Sequence, residues 1–166
     1  MNESLTELYE LEAIRQLKYR YARCVDLRDY KAIEGMLAEG FTWLFSTPEA
    51  PEKIETRDRT GYLKIMYDRF PPEVIAQHHM HHPEIALTGA ASAEGTWYLE
   101  YSSANTKTRQ SARGTSLYHD LYVKEGGAWK FKQMRYRVVF RIEEPLRPEA
   151  KIVVHYAATL HPDRAP

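Results

Sequence analysis

The spacing of apolar residues changes near Pro71-Pro72, and this change constrains the fold more than any single motif. Before it, apolar positions recur every three or four residues. In "SLTELYELEAIRQLKYRYARCV" the series Leu11, Ile14, Leu17, Tyr21 and Cys24 predicts a helix, with Ser4 and Glu7 spaced as a capping box. Asp26 and Asp29 compete for the backbone and loosen it near "VDLRD". Asp29 then caps a short helix, "YKAIEGML", which Gly40 is expected to stop. "FTWLF" reads as a strand, and the polar, proline-bearing "STPEAPEKIETRD" as a loop. "RTGYLKIMYDRF" is a third helix, closed by the two prolines.

After the prolines the period becomes two. "VIAQHHMHHPEIALT", "GTWYLEYSSANT" and "GTSLYHDLYVKEGGAWKFKQMRYRVVFRIEE" predict three or four long strands, with a hairpin turn at Gly126-Gly127. In the last strand Met134, Tyr136, Val138, Phe140 and Ile142 fall on one face, and Arg135, Arg137 and Arg141 on the other. Trp129 and Phe131 have the opposite parity, which a one-residue bulge near Lys132-Gln133 reconciles. Helices followed by a long antiparallel sheet predict an α+β fold, and a strongly curved sheet wrapped on helices encloses a pocket.

Composition narrows the function. A chain of 166 residues at 43% hydrophobic content is expected to form one domain, residues 1–166. The 23 basic and 23 acidic residues cancel, so no electrostatic footprint for nucleic acid or an anionic membrane is expected. No stretch predicts a membrane span, and the acidic start "MNESLTELYE" does not read as a secretion signal. Cys24 has no second cysteine to pair with, which suits the cytoplasm. The 12 tyrosines either fill strands or line a cavity for an amphipathic ligand.

"HHMHH" puts four histidines into five positions, 78–82. In an extended strand His78, Met80 and His82 face one way, and His79 and His81 the other. A catalytic zinc needs three protein ligands, and no compact motif nearby supplies the third, so no metal is expected. Solvated strand histidines are one reading. One cavity-facing histidine paired to a buried carboxylate, acting as a base, is another, with Asp26 as the candidate carboxylate. Ile85 and Leu87 share the parity of His79 and His81 yet look like core positions, and Pro83 marks a bulge or an edge.

The succession "LKYRYARCVDLRDYKAIEGMLAEGF", "HHMHHPEIAL", "GTWYLEYS", "GGAWKF" resembles SnoaL-like proteins of the nuclear transport factor 2-like superfamily, over roughly residues 10 to 156. "RYARCVD", "WYLE" and the tail "EEPLRPEAKIVVHY" are similar to the bile acid 7α-dehydratases within it. The resemblance implies a cone of curved antiparallel sheet and three helices around a deep pocket, without organic cofactor or metal. It assigns Tyr21, Asp26 and His78 as catalytic. An aspartate expected directly after "WYLE" is replaced here by Tyr101. Trp43, Trp97, Leu99, Tyr101 and Tyr118 are the expected walls for a hydrophobic small-molecule substrate. The implied activity is dehydration of a bulky hydroxylated alicyclic molecule, a steroid or bile-acid enone. An isomerase or cyclase with the same dyad, or a non-catalytic binding module, are the alternatives. The resemblance also implies a homo-oligomer, a trimer before a dimer. The apolar stretch Ile152 to Leu160 is expected to cover a pocket mouth or a neighbouring subunit.

Overall fold

A computed structural model of the protein describes residues 3–47 and 50–152. The elements are α1 (Glu3–Asp26), α2 (Tyr30–Met36), β1 (Leu37–Thr47), β2 (Ala50–Asp58), α3 (Arg59–Arg69), β3 (Val74–Gly89), β4 (Ser92–Asn105), β5 (Gln110–Glu125) and β6 (Ala128–Pro145). The strands form a six-stranded sheet in the order β2-β1-β6-β5-β4-β3. All neighbours are antiparallel except β1 and β6, which run parallel. The sheet is curved and does not close, and the helices cover its concave face. The α+β cone expected from the sequence is therefore present. Residues 153–160 of the apolar tail lie outside the described residues.

Local chemistry sets the boundaries. Asp29 caps α2 by accepting from the Ala32 N–H at 3.1 Å, and Asp58 caps α3 by accepting from Gly61 N–H at 2.8 Å. Three expectations change. Helix α1 already includes Glu3, so Ser4 lies within its first turn and not at its cap. Helix α2 ends at Met36, because Leu37 turns extended; Gly40, at φ +63°, instead kinks β1 where its pairing to β6 shifts register. The segment 46–58, expected as a loop, carries β2, which pairs Thr56 with Leu44 and Asp58 with Thr42. It is an edge strand studded with charge, and its polarity masks the strand signal.

Two bulges decide what β6 shows to each side. Leu121 pairs with Gln133 and Tyr122 with Phe131, leaving Lys132 extra, at the place the parity change predicts. Thr115 pairs with Phe140 and Ser116 with Val138, leaving Val139 extra as well. The five-residue apolar face is thus interrupted. Met134 and Tyr136 are buried, whereas Phe140 and Ile142 turn outward, 48% and 42% exposed, and Arg141 turns inward. A third irregularity, between His81 and Glu84 on the edge strand β3, resolves the histidine register. His82 adopts φ +48° there, so Met80 before it and Ile85 and Leu87 after it all pack on the core.

Helix α1 lays Ile14, Leu17, Tyr21 and Val25 on Phe131 and Met134, all buried. Burial of each large apolar side chain contributes about 1.5–3 kcal/mol. Beneath this layer a polar chain crosses the core. The Trp97 indole N–H donates to Tyr122 Oη at 2.9 Å, Tyr122 Oη donates to Asp120 Oδ2 at 2.9 Å, and Lys18 Nζ donates to the same oxygen at 2.6 Å.

Candidate active site

A cavity opens between α1, α3 and the concave face of β3 to β6. It holds about 740 Å³ of space between atoms, mouth included.

Asp26 and His78 meet on its wall. Asp26 is the last residue of α1, and its side chain lies where the helix hands over to the turn; His78 comes from β3. The His78 ring Nδ1 lies 2.6 Å from Asp26 Oδ1, and the His78 backbone N–H donates to Asp26 Oδ2 at 3.2 Å. One carboxylate thus fixes both the strand and the ring. With Nδ1–H donated to the aspartate, Nε2 is the lone-pair nitrogen left to the cavity that His78 lines. The Phe70 ring packs edge-on at 5.6 Å and the Tyr101 ring lies nearly parallel at 6.2 Å, so the imidazole is held between them. The side chains of His78 and Asp26 are 12% and 22% exposed, sheltered but reachable.

Arg28 holds this corner from behind. It is buried, at φ +56°, just after the end of α1. Its Nε donates to the Phe70 carbonyl at 3.0 Å, and Nη2 donates to the carbonyls of Pro71, at 3.3 Å, and Val74. The α3–β3 connection is thereby pinned to the residues that carry Asp26.

The floor is a tyrosine cluster. The Tyr21 and Tyr62 hydroxyls are 2.6 Å apart, Tyr118 lines the cavity with them, and Ser116 Oγ donates to Tyr136 Oη at 2.8 Å. Burial drives the Tyr21, Tyr62 and Tyr118 hydroxyls well above the usual tyrosine pKa, so at neutral pH they are donors. The Lys18 ammonium lies under the Tyr118 ring, 3.6 Å from its centroid.

Tyr101 lies in the row His78, Tyr101, Gly114, Arg141, four residues paired directly across β3 to β6. A Cβ on Gly114 would stand 2.3 Å from the Phe140 carbonyl and 3.0 Å from the Tyr101 hydroxyl, so only glycine fits there. Burial raises the Tyr101 pKa, Tyr136 adds to the rise, and the charges of Arg141 and Arg69 oppose it.

Of the residues the sequence singled out, Tyr21, Trp43, His78, Leu99, Tyr101 and Tyr118 line the cavity, with Asp26 behind His78. Trp97 does not. It has the parity of Leu99 and Tyr101, but it lies further down β4, fully buried, with its N–H spent on Tyr122. Sequence reading missed Tyr62, Arg69, Tyr136 and Arg141 in the lining. Tyr62, Ile65, Met66 and Arg69 recur at helical spacing on α3, a signal available in the sequence. Arg141 was concealed by the extra residue Val139. His79 and His81 face away from the cavity, His81 Nε2 lying 3.6 Å from Glu100. Among the described residues no three His, Cys, Asp or Glu side chains converge as for a metal ion.

A family model described as SnoaL-like domain matches residues 6–135. The chain is similar to a solved structure from Novosphingobium aromaticivorans named "Putative Scytalone Dehydratase", at 20% identity and TM-score 0.75, covering 90% of this chain and 99% of that one. It is also similar to a hexachlorocyclohexane dehydrochlorinase, LinA-type3 from Novosphingobium barchaimii, at 19% identity and TM-score 0.73, covering 92% and 100%. At these identities the likeness speaks for the fold, and the family match covers most of the sequence. The chain belongs to the SnoaL-like domain family.

Proposed function

We propose that this protein, as one domain, is a cofactor-independent lyase. It removes water from a bulky hydroxylated alicyclic substrate such as a steroid or bile-acid enone. The observation that carries this reading is the 2.6 Å contact of Asp26 with His78 on the wall of a largely apolar cavity. Two structural relatives bear the names of a dehydratase and a dehydrochlorinase, and elimination is a reaction that such a base promotes.

In the mechanism, His78 Nε2 takes a proton from a carbon activated by a nearby carbonyl. Asp26 stabilises the imidazolium that forms. Tyr21, kept protonated by burial and held by Tyr62, donates to the oxygen on which negative charge develops. The electron pair of the broken C–H bond forms the new double bond, and the hydroxyl leaves with the proton returned by the imidazolium, as water. Trp43, Leu99, Tyr101 and Tyr118 form the walls. Tyr101 replaces the carboxylate that the resemblance leads one to expect with a hydrogen-bond donor, and this selects among substrates.

Incubation of the protein with hydroxylated 3-oxo-4-ene steroids tests the reading. Extended conjugation in the absorbance spectrum together with loss of the mass of one water is the expected result. A product of unchanged mass assigns an isomerase or cyclase instead. Homo-oligomerisation, as a trimer, belongs to the same proposal. Tyr98, Leu121, Phe140 and Ile142 are exposed on the sheet face opposite the cavity, an apolar surface suited to a second copy. Light scattering is expected to give about three times the 19.4 kDa chain mass. Cytoplasmic residence is likewise proposed; among the described residues no helix is long and apolar enough to cross a membrane.

A further inference from the structure

Arg28 adopts a backbone conformation that runs against its residue type. Helix α1 stops in a Schellman turn: the Arg28 N–H donates to the Val25 carbonyl at 3.1 Å, and the Asp29 N–H to the Cys24 carbonyl at 2.8 Å. Arg28 follows the cap of that turn and adopts φ +56°, the place and the conformation that favour glycine. It is buried, and its guanidinium donates to backbone carbonyls, those of Phe70, Pro71 and Val74. These carbonyls belong to a connection with two prolines in a row. Pro71 and Pro72 have no N–H, so the stretch offers mostly acceptors, and a fork of N–H donors is what gathers them. Strand β3, which follows, is an edge strand paired with β4 alone. The Val74 N–H turns back to the Pro71 carbonyl at 2.9 Å, the Val74 carbonyl accepts from Arg28, and the His78 N–H donates to Asp26 at 3.2 Å. By the alternation of an antiparallel ladder, the even-numbered residues at the start of β3 point their backbone groups off its free edge, toward the end of α1. Arg28 and Asp26 grip that edge at Val74 and at His78.

Resting on the reading of Asp26 and His78 as the working dyad, we infer that Arg28 is a positioning residue for it. Arg28 is not among the residues that line the cavity; it acts through the turn before β3. Its guanidinium holds the stretch from Phe70 to Val74 against the end of α1. That sets how far His78 stands from Asp26, and it seats the Phe70 ring edge-on to the imidazole at 5.6 Å. With the clasp in place, Nδ1 keeps its proton on Asp26 and Nε2 keeps its lone pair toward the cavity. Without it the start of β3 is free to draw away along its unpaired edge. An imidazole that loses the carboxylate is then free to carry its proton on Nε2, and that tautomer cannot take a proton from carbon. A glycine suits the helix stop but supplies no clasp, which accounts for an arginine held in a glycine conformation beside the site.

The test is Arg28→Gly, read on the full chain without substrate by proton–nitrogen NMR of the imidazole rings, with His78→Gln to assign the signal. Glycine relieves the left-handed backbone, so the helix stop and the circular dichroism spectrum are expected to stay as they are. In the unaltered protein His78 is expected in the Nδ1–H tautomer alone, and in Arg28→Gly the Nε2–H tautomer is expected beside it. With a substrate that the unaltered protein turns over, kcat is expected to fall about 10²-fold while KM stays within about twofold. Arg28→Lys keeps the cation but not the planar fork; it is expected to fold, to show both tautomers and to lose less of kcat. A purely structural role leaves the unaltered tautomer in every folded variant, and that result would overturn the inference. So would the Nε2–H tautomer in the unaltered protein, or loss of the fold in Arg28→Gly. Absence of dehydration by the unaltered protein overturns the lyase reading alone, because the tautomer comparison needs no turnover and still decides the role of Arg28.

Discussion

Helix α1 carries two acid–base pairs to the sheet, and they differ in everything but length. Lys18 meets Asp120 on β5 at 2.6 Å, and two turns further on Asp26 meets His78 on β3, also at 2.6 Å. The first pair is fully enclosed, with both side chains at 0% exposure; the second opens on a cavity. For the enclosed pair, burial lowers the Lys18 pKa and raises that of Asp120, against the mutual attraction that pulls each the other way. Such a pair fixes position more than it adds stability. It sets the rotation of α1 on β5 and stations an ammonium under Tyr118. The open pair fixes position too, but it leaves one ring nitrogen uncommitted. Contact distance alone does not tell a brace from a working group; what the remaining valences face does.

The comparison is most exposed to test at the dyad. His78→Ala and Asp26→Asn are each expected to lower kcat by about 10²–10⁴-fold with the circular dichroism spectrum unchanged, and Tyr21→Phe by less, since it removes a donor and no base. A variant that loses its fold along with its activity would place Asp26–His78 in the same class as Lys18–Asp120.

The brace is expected to show the opposite pattern. Lys18→Met leaves Asp120 buried without its cation and costs about 3–5 kcal/mol of stability in urea unfolding. Adding Asp120→Asn, which keeps an acceptor for Tyr122 but no charge, is expected to recover most of that loss. If the double variant is no more stable than the single, the pair contributes net attraction and the argument from burial is wrong.

Between the two pairs lies the tyrosine cluster, and it makes the fold sensitive to alkali. Burial raises the hydroxyl pKa values of Tyr21, Tyr62, Tyr118 and Tyr122 well above the ordinary value, and that of Tyr30 to about 12. The folded chain therefore holds protons that the unfolded chain releases from about pH 10 upward. The stability these groups contribute is complete below that pH and is lost as the pH climbs past it. Absorbance titration is expected to show part of the tyrosinate signal rising only with unfolding; a smooth, fully reversible titration of all 12 tyrosines with the fold retained would contradict this.

The smallest effect sharpens the point about distance. Lys64 and Asp68 on α3 also meet at 2.6 Å, with side chains 73% and 57% exposed. Lys64→Ala is expected to cost no more than about 0.5 kcal/mol by thermal unfolding, roughly a tenth of the Lys18 value.

The sequence makes visible what rests on periodicity. Three helices, the Asp29 cap, the Gly126-Gly127 hairpin and the Lys132 bulge all follow from spacing and turn chemistry. Strand β2 was hidden because an edge strand alternates charged residues with one another and not with apolar ones. Lys18–Asp120 was hidden because 102 residues separate its partners and a lysine among helix formers reads as a solvated one. Tyr101 against Gly114, and Arg28 against the turn before β3, depend on register and on positive φ, neither of which periodicity reports. The juxtaposition of Asp26 and His78 was expected from family resemblance, since a helix end and a strand start 52 residues apart carry no local sign of contact.

The extra residue Val139 has a consequence for length variation. Removing one residue from a strand ordinarily exchanges its two faces from that point on. Here the pairs Ser116 with Val138, Thr115 with Phe140 and Gly114 with Arg141 exist without Val139, which has no partner of its own. A chain lacking that one codon keeps Arg141 toward the cavity and Phe140 toward the outside. Relatives one residue shorter are thus expected to place their gap at this position, and the mouth of the cavity is insulated from an insertion or deletion that would rewrite it almost anywhere else along β6.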